Sequence, residues 1–236
     1  MVADPLAVEV LPSAEAVAVR AAELLAGYVT EDAAARGAAT LALSGGRTPQ
    51  RALERLAALE LPWERVAVFQ VDERIAPLGS ADRNRTQASA ALAAPLRRHA
   101  ASFRWMPVEE PDLDAAARRY ALALREAAGS PAVLDTLHLG LGADGHTASL
   151  FPGSPLVAET ARDVAITEPK LGRRRMTLTL PVLNRARRIL WIVTGADKRA
   201  ALAALVAGDA NVVAGRVRRA GALVLADADA AAELAR

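Results

Sequence analysis

Residues 40–49 read Thr-Leu-Ala-Leu-Ser-Gly-Gly-Arg-Thr-Pro, an apolar run followed by two glycines and a Thr-Pro pair. The run Thr40–Leu43 predicts a strand, and the glycines predict a tight turn. Thr48 and Pro49 then predict the N-cap and the first residue of a helix. A short strand that turns directly into a helix is typical of α/β proteins with a parallel sheet. This stretch therefore predicts the α/β class.

The same alternation of strands and helices continues on both sides of this stretch. Further strands are expected at Val8–Leu11, Val66–Val71, Phe103–Met106, Leu134–Leu139, Val164–Ile166, Met176–Leu180, Ile189–Thr194 and Leu223–Ala226. Helices are expected over 14–29, 49–59, 87–96, 112–128 and 196–207, with a short one at the C-terminus, and a polar loop over 72–85. Ser13 and Asp112 have the side chains of N-caps. We expect a mostly parallel central sheet flanked by helices. The chain is expected to form one domain over residues 1–236, either alone or with a small appended lobe.

The composition excludes several kinds of chemistry. The chain has 236 residues, a net charge of +2, no cysteine and three histidines. Without cysteine there is no disulfide, thiol nucleophile, iron–sulfur cluster or cysteine-bound zinc, and a histidine-rich metal site is not expected. A carboxylate-bound metal stays possible on composition alone, and no other cofactor is expected. Few residues are left for acid–base chemistry near pH 7.

The charge pattern and hydropathy also limit the partners. The basic residues are spread among the acidic ones and aromatic residues make up only 3% of the chain, so a nucleic-acid-binding face is not expected. The most apolar stretch, residues 189–193, is too short to cross a membrane, and the first five residues do not resemble a secretory leader. These features predict a cytoplasmic protein, and a monomer is favoured.

Four polar segments follow predicted strands, where ligands bind in parallel sheets. The first two are Ser44-Gly45-Gly46 and Asp72-Glu73-Arg74. The first can bind an anion through backbone N–H groups at the following helix start, but a plain tight turn also needs glycine. In the second, Arg74 can bind phosphate oxygens, and Asp72 can orient it or assist acid–base chemistry, but the segment can also be a solvated loop.

The third segment, Gly140-Leu141-Gly142-Ala143-Asp144-Gly145-His146, contains the bare G-x-G-x-x-G pattern. A dinucleotide site is not expected, because Pro152 and Gly153 leave no room for the long helix that this fingerprint needs. The pair Asp144 and His146 is more informative, since imidazole is a general base near neutral pH and a carboxylate can fix its tautomer. His99 and His138 read instead as a helix-end residue and a core residue.

The fourth segment is Gly195-Ala196-Asp197-Lys198. Of the 29 basic residues 27 are arginine, so Lys198 is one of only two lysines, and it lies where a helix is expected to begin. A cation opposes the helix dipole there, which favours an anionic ligand over a solvated side chain. Among the arginines at 83, 85, 173, 174 and 175, the sequence does not decide which bind phosphate. Arg83 and Arg85 are reserve candidates, and one of the run Arg173, Arg174 and Arg175 can face the ligand.

Taken together, these segments resemble the 6-phosphogluconolactonases. The resemblance rests on Leu43-Ser44-Gly45-Gly46-x-Thr48-Pro49, Asp72-Glu73-Arg74, Arg175-Met176-Thr177-Leu178-Thr179, Thr194-Gly195-Ala196-Asp197-Lys198 and, most specifically, Asp144-Gly145-His146-Thr147-Ala148-Ser149-Leu150-Phe151-Pro152. It runs from about residue 8 to residue 228. Two departures, Arg47 in place of the usual serine and the basic loop 82–85, affect the expected phosphate contacts.

The resemblance implies a modified Rossmann-like α/β sandwich and metal-free hydrolysis of 6-phosphoglucono-1,5-lactone, a sugar-phosphate lactone of the pentose phosphate pathway. It implies His146 as general base and Asp144 as its partner. The substrate would be bound by Ser44, Gly45, Gly46, Asp72, Arg74, Arg175 and Lys198. Ser44 is not expected to be a nucleophile, because no base is evident beside it.

Two alternatives remain. Glucosamine-6-phosphate deaminases share the double-glycine and Asp-Gly-His segments, but a glutamate follows their histidine, whereas residues 147–152 here include no carboxylate. A non-catalytic sugar-phosphate sensor would need a DNA-binding module, and no basic recognition helix is evident.

Overall fold

The computed structural model describes residues 6–170 and 172–234. The five N-terminal residues considered for a leader lie outside them. The strands in the described part are β1 (Ala7–Leu11), β2 (Ala39–Leu43), β3 (Val66–Gln70), β4 (Asp72–Arg74), β5 (Phe103–Arg104), β6 (Thr136–Gly140), β7 (Val164–Ile166), β8 (Arg175–Leu178), β9 (Arg188–Val193) and β10 (Ala222–Asp227). The helices are α1 (Ala14–Arg36), α2 (Arg47–Leu56), α3 (Asn84–Ala91), α4 (Ala93–Arg98), α5 (Leu113–Ala128), α6 (Leu180–Arg185), α7 (Arg199–Ala207) and α8 (Ala228–Ala231).

Within the described residues, seven strands form one sheet in the order β1-β10-β9-β6-β2-β3-β5. Every neighbouring pair in it is parallel, which confirms the expected parallel α/β fold. From β2 the chain continues outward to β3 and β5, whereas from β6 it continues to β9 and β10 on the other side. The strand order therefore reverses between β2 and β6, and a ligand cleft is expected at their carboxyl ends.

The sheet lies between two apolar layers, and alternate residues of each strand contribute to opposite layers. Leu41 and Leu43 of β2 pack with α1 and α2 in one cluster, whereas Ala42 packs with α5, α7 and α8 in the other. All five residues of β2 are buried. Because both faces are covered, the strands read as continuous apolar runs, and these are the runs that the sequence pattern detects.

The small second sheet differs from the expected loop. Residues 72–74 form β4 and pair with β8, which in turn pairs with β7, and both pairings are antiparallel. The prediction of a polar loop over 72–85 is therefore wrong at both ends, because α3 begins at Asn84. β4 directly follows β3, so Arg74 is fixed on a strand rather than on a flexible segment. The division into domains stays a prediction.

Several helix bounds also differ from those expected. Ser13 and Asp112 are N-caps as predicted, each accepting a hydrogen bond from a backbone N–H three residues on. The first helix, however, continues past Val29 to Arg36 and ends only where Gly37 adopts a left-handed conformation with φ of 79°. The helix predicted over 87–96 is two short helices, α3 and α4. Residues 196–198 form a 3₁₀ turn before α7.

Candidate active site

A cleft of about 310 Å³ opens at the carboxyl ends of β2 and β6, where the strand order reverses. It brings together residues from all four predicted segments. The predicted site residues that line it are Ser44, Gly45, Gly46, Asp72, Arg74, His146 and Lys198. The same cleft is also lined by residues without a predicted role, namely Asn84, Gly140, Leu141, Gly142 and Ala148. The loops after β2, β3, β6 and β9 therefore contribute to one concave site.

His146 and Asp144 form a hydrogen-bonded pair at the rim of the cleft. The imidazole Nδ1 lies 2.5 Å from Asp144 Oδ1, and the same oxygen accepts the backbone N–H of His146 at 3.1 Å. Burial opposes the charge on Asp144, but the hydrogen bonds from the ring and backbone of His146 outweigh it and hold the pKa of Asp144 below its usual value. An ionised Asp144 that accepts from Nδ1–H leaves Nε2 as the basic nitrogen.

Gly142 is essential to the geometry of this pair. A Cβ at this position would lie 2.0 Å from Nδ1 of His146 and 2.7 Å from Oδ1 of Asp144. The backbone N–H of Gly142 also donates to the carbonyl of His146 at 2.8 Å, which closes the loop on itself. The second glycine of the G-x-G pattern therefore makes room for the histidine. In the fully described stretch 141–163 only a 3₁₀ turn forms, so the helix of a dinucleotide-binding motif is absent.

Phe151 supports the imidazole from behind. The rings of His146 and Phe151 have centroids 4.5 Å apart. The Arg175 guanidinium lies 5.1 Å and the Lys170 ammonium 5.9 Å from the centroid of the same phenyl ring. Because Phe151 is almost fully buried, the histidine packs against a fixed surface.

Asp72 is a buried carboxylate with two uncharged partners. Its Oδ2 accepts the hydroxyl of Ser149 at 2.6 Å, and its Oδ1 accepts the side-chain N–H of Asn84 at 3.1 Å. Burial raises the pKa of Asp72 above its usual value, although the Ser149 hydrogen bond acts in the opposite direction. The expectation that Asp72 orients Arg74 is not supported, because these hydrogen bonds connect it to α3 and to the histidine loop instead.

Arg74 is held by its neighbours in a way that the sequence does not reveal. Its backbone N–H donates to Glu73 at 2.7 Å and its Nη1 donates to the carbonyl of Asp82 at 2.8 Å. Glu73 is fully buried and forms an ion pair of 3.1 Å with the equally buried Arg83. Arg83 is therefore part of the interior, and its role as a reserve phosphate ligand is ruled out by its burial.

Lys198 lies between this cleft and an adjoining one of about 400 Å³, and it lines both. Its Nζ is 3.0 Å from Asp197 Oδ2, and this contact lowers the pKa of the Asp197 carboxyl.

The adjoining cleft reaches the start of α2, where Gly46 is the N-cap and Thr48 already lies inside the helix. The prediction of Thr48 as N-cap is wrong by two residues. Thr48 instead shares a hydrogen bond of 2.7 Å with Thr194 at the end of β9.

The structure does not place Arg175 among the residues that line the cleft. Its Nη1 donates to the carbonyl of Lys170 at 2.7 Å and, as noted, its guanidinium lies over Phe151. Burial and the nearby Arg74 lower the pKa of Arg175. Arg85 stacks on Trp105, Arg173 pairs with Asp82 and Arg174 donates to the carbonyl of Thr167. Of the six arginines considered for phosphate, Arg74 is thus the one that lines the cleft.

Ser44 and His138 connect the two strands that border the cleft. The Ser44 backbone N–H donates to His138 Nδ1, and the Ser44 hydroxyl donates to the His138 carbonyl, each at 3.1 Å. A histidine therefore lies beside Ser44, although the sequence indicated no base next to this serine. Its Nδ1 accepts the backbone N–H rather than the hydroxyl, and the hydroxyl donates to a carbonyl, so among the described residues Ser44 Oγ is not hydrogen-bonded to a base.

Metal and membrane features can be assessed for the part of the chain that the structure describes. There, no group of three or more His, Asp or Glu side chains is close enough to hold a metal ion. None of the helices in residues 6–170 and 172–234 has the length and apolar character needed to cross a bilayer. The expectation that activity needs no metal stays a prediction.

The fold and the cleft together define an α/β protein with a small-molecule site where the strand order reverses. A family model described as "Glucosamine-6-phosphate isomerases/6-phosphogluconolactonase" matches residues 12–225. The 6-phosphogluconolactonase of Mycobacterium tuberculosis is 37% identical over 241 residues, which cover 96% of this chain and 98% of that protein. The chain belongs to the glucosamine-6-phosphate isomerase/6-phosphogluconolactonase family.

Solved structures agree with this assignment at the level of the fold. The 6-phosphogluconolactonase of Trypanosoma cruzi superposes with a TM-score of 0.87 and 23% identity, covering 99% of this chain and 98% of that one. A monomeric glucosamine-6-phosphate deaminase superposes with a TM-score of 0.82 and 19% identity, covering 96% and 99%. The fold is therefore shared by both activities, and the site residues must distinguish them.

Proposed function

We propose that this protein hydrolyses 6-phosphoglucono-1,5-lactone to 6-phosphogluconate, a reaction of the oxidative pentose phosphate pathway. The observation that supports this most directly is the His146–Asp144 pair at a cleft that Arg74 and Lys198 also line. A phosphorylated lactone needs a general base beside its acyl carbon and cations beside its phosphate. The cleft offers both, and the membership of the family limits the substrate to a sugar phosphate.

In this mechanism His146 acts on water. Its Nε2 removes a proton as the water oxygen attacks the lactone carbonyl carbon, and Asp144 stabilises the imidazolium that forms. When the tetrahedral intermediate collapses, the ring C–O bond breaks and the imidazolium returns the proton to the departing ring oxygen. The products are the open-chain acid and a neutral histidine. No covalent enzyme intermediate is needed, in keeping with the lack of a base at Ser44 Oγ.

Backbone groups of the Ser44–Gly46 loop would stabilise the oxyanion, and Lys198 with the first turn of α2 would bind phosphate. Arg74 also lines the cleft and would add a second cation. Arg175 is assigned an indirect role, since it lies behind Phe151 and not in the cleft. Asp72 would accept a hydrogen bond from a substrate hydroxyl when ionised. Because its pKa is raised, it could also be protonated and donate one.

The deciding experiment uses lactone generated freshly from glucose 6-phosphate, with spontaneous hydrolysis subtracted. We expect rapid release of 6-phosphogluconate by the purified protein and no ammonia release from glucosamine 6-phosphate. Ammonia release without lactone hydrolysis would instead identify a deaminase, and binding without either reaction would indicate a sensor.

The same assay in the presence of EDTA tests metal independence, and size-exclusion chromatography tests the expected monomer. The cytoplasmic location stays a prediction.

A further inference from the structure

His138 is a buried titratable residue without a part in the mechanism above. Its side chain is 1% exposed in the middle of the sheet, on the central strand β6. It does not line the cleft, because the strand continues for two more residues before the loop begins. Leu137 and Leu139 pack in the cluster of α5 and α7, so strand alternation directs His138 towards the layer of α1 and α2.

The contact with Ser44 lies where the two strands separate. The paired residues of β2 and β6 are Leu41 with Thr136 and Ala42 with Leu137. Beyond them, the two 3.1 Å hydrogen bonds between Ser44 and His138 continue the connection. One of these is made by the imidazole itself, so the side chain of His138 helps to join the two strands where the cleft opens.

The chemistry of this contact specifies the state of the ring. Nδ1 can accept an N–H only when it carries no proton, so the neutral ring must be protonated at Nε2. Burial lowers the pKa of His138 to about 4, which keeps the ring neutral at physiological pH. The Nε2 atom is buried and has no hydrogen-bond partner among the described residues. Burying a polar group without a partner is unfavourable, and a leucine would avoid that cost. Among the described residues, the hydrogen bond from the Ser44 amide is the polar contact of the ring that a leucine could not make.

The loop that Ser44 begins depends on such outside contacts. Gly45 and Gly46 are adjacent, and Gly46 has φ of 130°, so the loop has little conformational preference of its own. A Cβ at Gly45 would lie 2.2 Å from Oδ1 of Asn84, which shows how closely the loop approaches α3. The loop is thus hydrogen-bonded at Ser44 to His138 and lies against the Asn84 side chain at Gly45.

We propose that His138 is a positioning residue that holds the Ser44–Gly46 loop in its ligand-binding conformation through the hydrogen bond to the Ser44 amide. This inference rests on the proposed function of the loop in binding the lactone. The ring acts from behind the cleft and does not touch the substrate. Its effect is on the placement of backbone N–H groups, and therefore mainly on KM.

Three variants test the proposal. His138→Leu removes the acceptor and is expected to lower kcat/KM about tenfold, mostly by raising KM, the effect of losing one hydrogen bond. His138→Asn places Oδ1 close to the position of Nδ1 and is expected to restore most of the loss. Thr136→Val is the matched control, because Thr136 lies on the same strand and face, is fully buried and also has an unpartnered side-chain oxygen. We expect it to leave kcat and KM unchanged.

Any of three kinetic results would overturn the proposal: an unchanged KM in His138→Leu, an equal loss in Thr136→Val, or no recovery in His138→Asn. If the leucine variant does not fold, nitrogen NMR of the wild-type protein still tests the proposal, because it shows which ring nitrogen of His138 carries the proton. A proton on Nδ1 would contradict the proposal, whereas a proton on Nε2 with slow exchange of the Ser44 amide would support it. The NMR result does not depend on activity, so a failure of the proposed lactonase function would be seen separately.

Discussion

The two loops that border the cleft are held in different ways. The loop after β6 is closed by short-range hydrogen bonds, from Gly142 to the His146 carbonyl at 2.8 Å and from Gly145 to the Gly142 carbonyl at 3.0 Å. The loop after β2 is held by residues far along the chain, since Ser44 bonds to His138, 94 positions away. The proposed acid–base pair is therefore assembled within its own loop, although the Gly145 carbonyl also accepts the distant Ala214 N–H at 3.0 Å. The proposed anion-binding loop depends on a contact with another strand of the sheet.

This difference predicts different outcomes for substitutions in the two loops. Changes in the loop after β6 should act on kcat, because they affect the reacting groups. Changes around the loop after β2 and at Lys198 should act on KM, because they affect where the ligand is bound. The following predictions test this division, starting with the largest expected effect.

Replacing the general base should have the largest effect. His146→Ala is expected to lower kcat by about 10²- to 10⁴-fold, the usual contribution of general base catalysis. Binding of 6-phosphogluconate, measured by calorimetry, should change little. His99→Ala is the control, because His99 lies at the end of α4, away from the cleft. Near-normal turnover of the His146 variant, after subtraction of spontaneous hydrolysis, would rule out its assigned role.

A methyl group at Gly142 should displace the pair without removing it. Gly142→Ala places a Cβ where Nδ1 of His146 now lies, and a misplacement of about 1 Å can lower a rate by about 10²-fold. We expect kcat to fall by this factor while KM stays close to the wild-type value. Gly27→Ala on α1 is the matched control, because a Cβ there meets no atom within 4 Å. If Gly142→Ala raised KM alone, the assignment of this loop to catalysis would be wrong.

Removing a cation from the cleft should weaken substrate binding. Lys198→Met and Arg74→Met are each expected to raise KM about thirtyfold, the typical effect of losing a hydrogen bond to a charged group. The kcat values should fall less. Arg65→Met, at an exposed position away from both clefts, is the control. An unchanged KM in both variants would contradict their assignment to the phosphate.

The smallest predicted effect is a loss of folding stability as the pH is lowered. Because the pKa of His138 is about 4 in the folded protein, the unfolded chain binds a proton below about pH 6.5 that the folded protein does not. The stability of the wild type should therefore fall as the pH is lowered from 6.5 towards 4. At pH 5.5 the loss is on the order of 1 kcal/mol. The measurement is urea unfolding at pH 7.5 and 5.5.

His138→Asn should lack this part of the pH dependence. Other groups, including Asp72, contribute equally to both proteins, so the difference between the two curves isolates the histidine. Parallel curves for the wild type and His138→Asn would show that the ring is not buried as a neutral group.

The same contrast explains which features the sequence could predict. The strands other than β4, the Ser13 and Asp112 caps and the pair Asp144 and His146 all depend on residues close together in the chain, and the pattern identified them. Pairing between distant segments was not predictable. Nothing in the local pattern around Arg83 indicates that it is buried against Glu73, and a basic residue in a polar stretch is normally exposed.

The missed site residues have the same cause. Asn84 and Ser149 both bind Asp72, but they lie 12 and 77 positions from it. Arg175 was assigned to the phosphate because it precedes a predicted strand in a segment that resembles the lactonases, and only the tertiary structure places its guanidinium behind Phe151. Gly142 could have been identified earlier, because a glycine two residues before an Asp-Gly-His segment is where a side chain would meet the imidazole.

The ring of Phe151 has a further consequence for the energetics of catalysis. An imidazole at a cleft rim would normally sample several rotamers, and each turnover would have to wait for the reactive one. Here the phenyl ring on one side and Asp144 on the other restrict both side-chain torsions of His146. In the proposed mechanism, the entropy of orienting this imidazole as the base is therefore lost once, during folding, and not in each catalytic cycle.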